Sequence, residues 1–244
     1  MTVWLCNGIE LEFRIIVTFS HVKHDFPSLL KETAEDGQRV YTTPDGKRYP
    51  SVTTVIADHN KAGIDRWKER VGHAKAKKIS DNASERGDIV HLALEALLNN
   101  HSTAEIVKQM MPHAKAVYLN MKTEVERRLS VVHGLEQPLF SHKLRLAGTT
   151  DCIAVYDDLL SIVDFKTALR LKKKEYVQGY FMQLTAYAFM FQEMTGLRIE
   201  QGVILIGVDN ETFAQTFKLP RVDFDPHFKN LVSWRDKYEQ REAA

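Results

Sequence analysis

Asp151, Asp164 and Lys166 are spaced to act together. Residues 147–156 and 159–167 read as two strands around the pair Asp157 and Asp158. If those two aspartates are the central turn residues, Tyr156 pairs with Leu159, and counting outward sets Asp151 opposite Asp164. Directly opposed residues of antiparallel strands hold their Cβ atoms roughly 4.5–5.5 Å apart. Lys166 lies two residues further on and faces the same side, which nearer the turn is made apolar by Ile153, Val155, Leu160 and Ile162. Two carboxylates placed this way repel each other. A divalent cation removes that cost, because Mg²⁺ is held by one or two carboxylates with water and a substrate phosphate completing its shell. The same residues also read as a solvated cluster in which Lys166 neutralises two surface aspartates, and the hairpin alone does not choose between the two.

Three other segments bear on that choice. Gly87, His91 and Glu95 recur at intervals of four and share one helix face. A histidine among Leu and Ala is ordinarily a hydrogen-bonded core residue; beside the carboxylate pair, His91 becomes a candidate ligand. Gly87 inside a helical pattern costs about 1 kcal/mol against Ala, which raises the question of a close approach there. Tyr176, Tyr180, Gln183 and Tyr187 form a second stripe at helical spacing. Aromatics in such a stripe usually face a core, but a buried amide needs partners, and tyrosines can also stack on bases. Arg170, Lys172, Lys173 and Lys174 follow the hairpin, and seven further cations with Trp67 lie within residues 61–78. Such runs suit a phosphate backbone and equally suit an exposed face.

The elements that must position these groups can be sketched from pattern. Strands are expected over residues 10–19, 136–145, 147–156, 159–167, 200–208 and 212–219, with a hairpin over 41–49. Ser51 should cap a helix. Two helices are expected within 63–100, broken near 80–87, with others over 112–129, 176–195 and 225–240. Helices first and then a strand-rich unit imply an α/β fold, a central mixed sheet flanked by helices with an N-terminal helical portion. The expected organisation is a β-rich extension over 1–40 packed on one domain over 41–244, mainly helical to 130 and α/β beyond it. An apolar content of 44% supports a substantial core, while a net charge of +1 puts any nucleic-acid contact on local clusters. Two cysteines, Cys6 and Cys152, provide neither a disulfide framework nor a zinc or iron–sulfur ligand set. No apolar run is long enough to span a membrane, and residues 1–20 make a poor secretory or transit signal. The expectation is a soluble monomer in the cytoplasm of a bacterial or phage-infected cell.

Taken in order, Gly87-x-x-x-His91-x-x-x-Glu95, Gly148-Thr149-Thr150-Asp151, Asp164-Phe165-Lys166-Thr167 and Gln183-x-x-x-Tyr187 resemble the motifs of the RecB-like PD-(D/E)XK nucleases. Within that branch the chain is most similar to the group of mitochondrial genome maintenance and phage exonucleases. The likeness extends to residues 49–55 and 65–70 and covers roughly 41–206. The proline-first element of the family name is replaced by Gly-Thr-Thr-Asp. The resemblance implies Mg²⁺ or Mn²⁺ bound by His91, Asp151, Asp164 and the Phe165 carbonyl. It makes Asp151, Asp164, Lys166, Gln183 and Tyr187 the catalytic set. Glu136 precedes the hairpin where relatives carry a glutamate, with no role assigned to it. It further implies a metal-dependent exonuclease acting on DNA, with single-stranded ends preferred. An endonuclease on the same core and a non-catalytic DNA-binding module are the alternatives. Replacing Asp164 or Lys166 by Ala is expected to abolish cleavage and leave folding intact.

Overall fold

The computed structural model describes residues 17–35 and 37–242. Its centre is a six-stranded mixed sheet. In chain order the strands of that sheet and of a smaller one are β1 (Ser20–His21), β2 (Leu30–Thr33), β3 (Arg39–Thr42), β4 (Arg48–Pro50), β5 (Leu129–Ser141), β6 (Leu146–Tyr156), β7 (Leu159–Ala168), β8 (Gln201–Val208) and β9 (Ala214–Pro220). The helices are α1 (Val52–Val71), α2 (His73–Leu98), α3 (Ala104–Gln109), α4 (Pro112–Arg128), α5 (Gln178–Thr195) and α6 (Phe224–Glu242). The large sheet runs β1-β5-β6-β7-β8-β9, and β2-β3-β4 form a separate antiparallel sheet. Pairs β1–β5 and β7–β8 are parallel. α5 supplies the crossover that a parallel β7–β8 pair requires.

Two cores sandwich the sheet. On one face Ile153, Ile162 and Ile204 pack with Phe181, Leu184 and Phe191 of α5. On the other, Val163, Val203 and Leu205 meet Val90 and Leu94 of α2 and Val117 and Met121 of α4. Alternation along each strand therefore serves both faces, and each such side chain contributes about 1.5–3 kcal/mol by leaving water. The small sheet packs on β6 through Tyr41, whose hydroxyl shares a hydrogen bond with Thr149 Oγ1 at 3.0 Å.

Local sequence explains most boundaries. Ser51 caps α1, its hydroxyl accepting from the Thr54 N–H at 2.9 Å. Pro112 opens α4, where its missing N–H costs nothing. Asp157 and Asp158 have φ of 48° and 64°, the left-handed pair that lets a two-residue hairpin follow strand twist.

Three expectations differ. The break expected near residues 80–87 falls at Gly72 instead, whose φ of 85° only glycine adopts without strain. The polar run that suggested a break is the exposed first half of α2. β5 starts at Leu129 rather than 136, because the last turn of α4 passes directly into extended backbone at Leu129 (ψ 144°) with no turn residue between. The strand expected over 10–19 falls mostly outside the described residues; its described end, Phe19, is buried in the α2–α4 core.

Candidate active site

The two-aspartate turn sets the register of β6 and β7, with Tyr156 opposite Leu159 and Cys152 opposite Val163. The strand pairing has the register that counting from the turn anticipates and ends one residue short of Asp151 and Asp164. Asp151 Oδ2 accepts the Phe165 backbone N–H at 2.8 Å. Asp164 is only 1% exposed. Its Oδ1 accepts from Gln183 Nε2 at 2.9 Å, and its Oδ2 is 2.5 Å from Lys166 Nζ. The Lys166 ammonium also donates to the Phe165 carbonyl at 3.3 Å and sits 5.3 Å from the Tyr180 ring centre. Burial pushes the Asp164 carboxyl upward, with Lys166 opposing. Burial works against the Lys166 charge as well, but the Asp164 and Asp151 carboxylates outweigh it and hold the ammonium above its ordinary range.

α2 brings His91 to the same end of these strands. Its Nδ1 is 3.7 Å from Asp151 Oδ2, and its ring meets Phe165 edge-on. The third member is Glu136 of β5. One ligand atom each from His91, Glu136 and Asp151 fall within 4.8 Å of one another. Glu136 carries a φ of 43°, uncommon for a residue with a side chain and strained within a strand. Its carboxyl is pushed up to about 7, by burial first and then by the charges of Asp151 and Glu95, with Lys31 and Lys166 opposing. An imidazole with two carboxylates suits a hard or borderline divalent ion, and the like charges that raise Glu136 are those such an ion neutralises. The residues therefore fit a divalent cation. Asp164 lies beside this cluster rather than in it, its two oxygens being engaged by Gln183 and Lys166.

The α5 stripe divides by depth. Gln183 is buried at 7% and spends its amide on Asp164. Tyr187 is also buried, which removes it from any stacking on bases. Its ring fills the space over Gly148, where an added Cβ would lie 2.7 Å from the Tyr187 oxygen, so the glycine of Gly-Thr-Thr-Asp and this tyrosine require each other. Tyr176, by contrast, is 68% exposed at the mouth of the site. Gly87 has no comparable constraint; a Cβ there would meet Thr167 Oγ1 at 3.9 Å, an ordinary contact. A cleft of about 530 Å³ opens over Asp151 and Lys166, walled by Tyr176, Tyr180 and Gln183 on one side and by Arg39, Ser51 and Thr53 on the other. Arg170, Lys173 and Lys174 lie exposed after β7, while Lys172 is tied by both backbone groups to Gln215.

Glu136 and Arg39 are the site residues that sequence reading did not assign. Glu136, itself exposed, joins the cluster from a left-handed backbone position, which no periodicity reports. Arg39 reaches the cleft from a different sheet.

A two-strand carboxylate pair with an adjacent lysine, backed by a histidine helix and a Gln-Tyr helix, is the arrangement of one nuclease fold. The PD-(D/E)XK nuclease superfamily matches residues 66–242, and the chain belongs to it. Among its relatives, mitochondrial genome maintenance exonuclease 1 of Homo sapiens is 26% identical over 170 residues, covering 64% of this chain and 48% of that protein. The protein of that name from Xenopus tropicalis is 25% identical over 211 residues, covering 79% and 59%. One ATP-dependent helicase/nuclease protein of Ligilactobacillus salivarius is 24% identical, covering 80% of this chain and 19% of that protein. The chain thus spans about half the length of the human and frog relatives. Among the described residues, no helix is long and apolar enough to cross a membrane.

Proposed function

We propose that the chain is a metal-dependent deoxyribonuclease that degrades DNA from its ends and prefers single strands, serving replication, repair, recombination or DNA degradation. The observation that carries this reading is the convergence of His91, Glu136 and Asp151 within 4.8 Å, next to the buried Asp164–Lys166 pair. His91, Glu136 and Asp151 would hold Mg²⁺ or Mn²⁺, with Asp164 and the Phe165 carbonyl adjacent. When bound there, the ion would supply charge neutralisation at a phosphate and a lowered pKa for an attacking water.

The protein's own groups do the rest. Lys166 presents a permanent positive charge at the cleft wall, where phosphate oxygens gather charge on the way to the transition state. Gln183 fixes Asp164, and Asp164 in turn fixes the Lys166 ammonium, so neither need reorganise during the reaction. Tyr176 offers a ring to a base at the cleft mouth. The half of α2 before Arg86 is exposed at every residue except Ala76 and carries Lys75, Lys77 and Lys78. We assign it, with the end of α1, as an arm that admits one strand to the cleft. Preference for ends is supported by the names of the human and frog relatives, which are exonucleases.

The test compares linear single-stranded, circular single-stranded and linear duplex DNA in Mg²⁺ or Mn²⁺. Loss of the linear single strand with the circle intact is expected. Cutting of the circle would replace the exonuclease reading with an endonuclease one.

A further inference from the structure

One cation facing the cleft has no part in the chemistry above. Arg39 sits at the start of β3, half-buried, with its backbone fastened to the head of α1. Its N–H donates to Thr54 Oγ1 at 3.0 Å, and its carbonyl accepts the Ser51 N–H at 2.8 Å. Among the described residues its guanidinium makes one hydrogen bond, from Nη2 to Thr53 Oγ1 at 3.1 Å. Among the described residues, no carboxylate lies within ion-pair distance of it. Of the other sheltered arginines, Arg221 is held by the Ile199 carbonyl and the Phe224 ring, and three are ion-paired. Arg86 is paired with Asp209, Arg128 with Glu124 and Asp157, and Arg235 with Asp236. Withdrawing a charge from water without a counter-ion is costly, and a guanidinium has five donors to satisfy. A half-buried arginine at a cleft wall, its backbone fixed and with no counter-ion among the described residues, is therefore open to an anion that arrives from outside.

The surroundings indicate which anion. A second groove, of about 470 Å³, runs along α1 and is lined by Lys61, Ile64, Asp65 and Lys68. It shares Arg39, Thr53 and Ala57 with the active-site cleft. Arg39 thus stands where the two cavities join, with Asp151 and Lys166 on one side and Lys61 and Lys68 on the other. Lys61 makes no ion pair among the described residues, while Lys68 approaches Asp65 at 3.8 Å.

We propose that Arg39 binds a phosphodiester group neighbouring the one that is cut, through paired N–H···O bonds, and directs the strand from the cleft into the α1 groove, where Lys61 meets a further phosphate. This rests on reading the cleft as a DNA nuclease site. A guanidinium is the group suited to such a contact because its fork matches two phosphate oxygens, which an ammonium cannot do. Arg39 is a positioning residue and touches no reacting atom.

The test measures binding of a labelled linear single-stranded oligonucleotide in EDTA as a function of salt, and cleavage kinetics in Mg²⁺, for wild type, Arg39→Gln and Arg39→Lys. Arg39→Gln should weaken binding by about tenfold, the scale of one charged hydrogen-bonded contact. It should also lower the slope of log affinity against log salt by about 0.7, the share of one phosphate on a single strand. KM should rise with kcat within about twofold. Arg39→Lys should restore the salt slope and only part of the affinity. A purely structural arginine would change the melting temperature without changing the slope. Wild-type affinity, slope and KM in Arg39→Gln would overturn the proposal. If Arg39→Gln melts well below wild type, Arg39→Lys decides: weakened binding by a fully folded protein supports the contact, and unchanged affinity removes it. A wild-type protein that binds the strand with this dependence on Arg39 yet cuts nothing would end the nuclease reading and leave the phosphate contact standing. A wild type that neither binds nor cuts ends both.

Discussion

Replacing Lys166 with methionine removes the ammonium and leaves the rest of the side chain in place. The Asp164 carboxylate it abandons has a side chain only 2% exposed and keeps a single neutral donor, Gln183. Breaking a buried ion pair by deleting one partner costs about 3–5 kcal/mol, because the remaining charge is both buried and unpaired. Lys166 is itself 25% exposed, so water relieves part of this and the lower end, about 3 kcal/mol, applies. For a chain of this size that is a drop in melting temperature of about 6–12 °C. Adding Asp164→Asn should recover most of the loss, since an asparagine at 164 still accepts the Gln183 amide and leaves no charge behind. The sign with pH is fixed. Without Lys166 the Asp164 pKa rises further above its unfolded value, so the deficit narrows as pH falls and widens as pH rises. Melts of wild type, both single variants and the double variant at neutral and acid pH check this, and all three variants should be inactive on DNA. A Lys166→Met protein as stable as wild type, or a double variant less stable than Lys166→Met, would refute the account of Asp164 as a buried charge held by its lysine.

Three further outcomes follow from the same geometry. Gly148→Ala drives a methyl into the Tyr187 ring, which should cost about 1–3 kcal/mol in thermal melts and reduce cleavage by moving Asp151. Tyr176→Ala should leave the melting temperature unchanged and weaken single-stranded DNA binding by the ~1–3 kcal/mol of one stacked base, about 5- to 150-fold by fluorescence anisotropy; unaltered binding would show that the ring touches no base. Glu136, pushed up to about 7 from an ordinary 4.5, stabilises the metal-free protein most below its ordinary value and loses that contribution as pH rises through about 7. Divalent-ion binding should correspondingly weaken below pH 7, and Glu136→Gln should flatten this part of the profile in melts with and without Mn²⁺.

The legible parts of the chain were those whose information is local. A two-residue turn and strict alternation are enough to align Asp151 with Asp164 and Lys166, and the structure has that register. Ser51, Pro112 and Gly196 mark helix ends by residue type alone. What stayed hidden depends on distant chain. Gly87 and the polar residues before it resemble a helix break, yet tertiary packing of Val90 and Leu94 carries α2 through them, and the break moves to Gly72. Glu136 joins His91 and Asp151 through a positive φ next to irregular β5–β6 pairing that no count along one strand reveals. Lys166 looked replaceable without harm to folding because its spacing says nothing of the burial of Asp164, which changes that expectation to a substantial loss of stability. The Gly148 requirement likewise appears only once Tyr187, distant in the chain, is seen to fill its space.

The central claim is a divalent-ion centre at His91, Glu136 and Asp151 that hydrolyses DNA. Its most direct test follows a linear single strand, labelled separately at each end, incubated with wild type and with Asp151→Asn in Mg²⁺, in EDTA, and in EDTA with excess Mg²⁺ restored. Wild type should shorten the strand in Mg²⁺, stop in EDTA and resume on restoration, while Asp151→Asn, folded by its thermal melt, stays inactive throughout. Cleavage that persists in EDTA, or a fully active Asp151→Asn protein, would contradict the account.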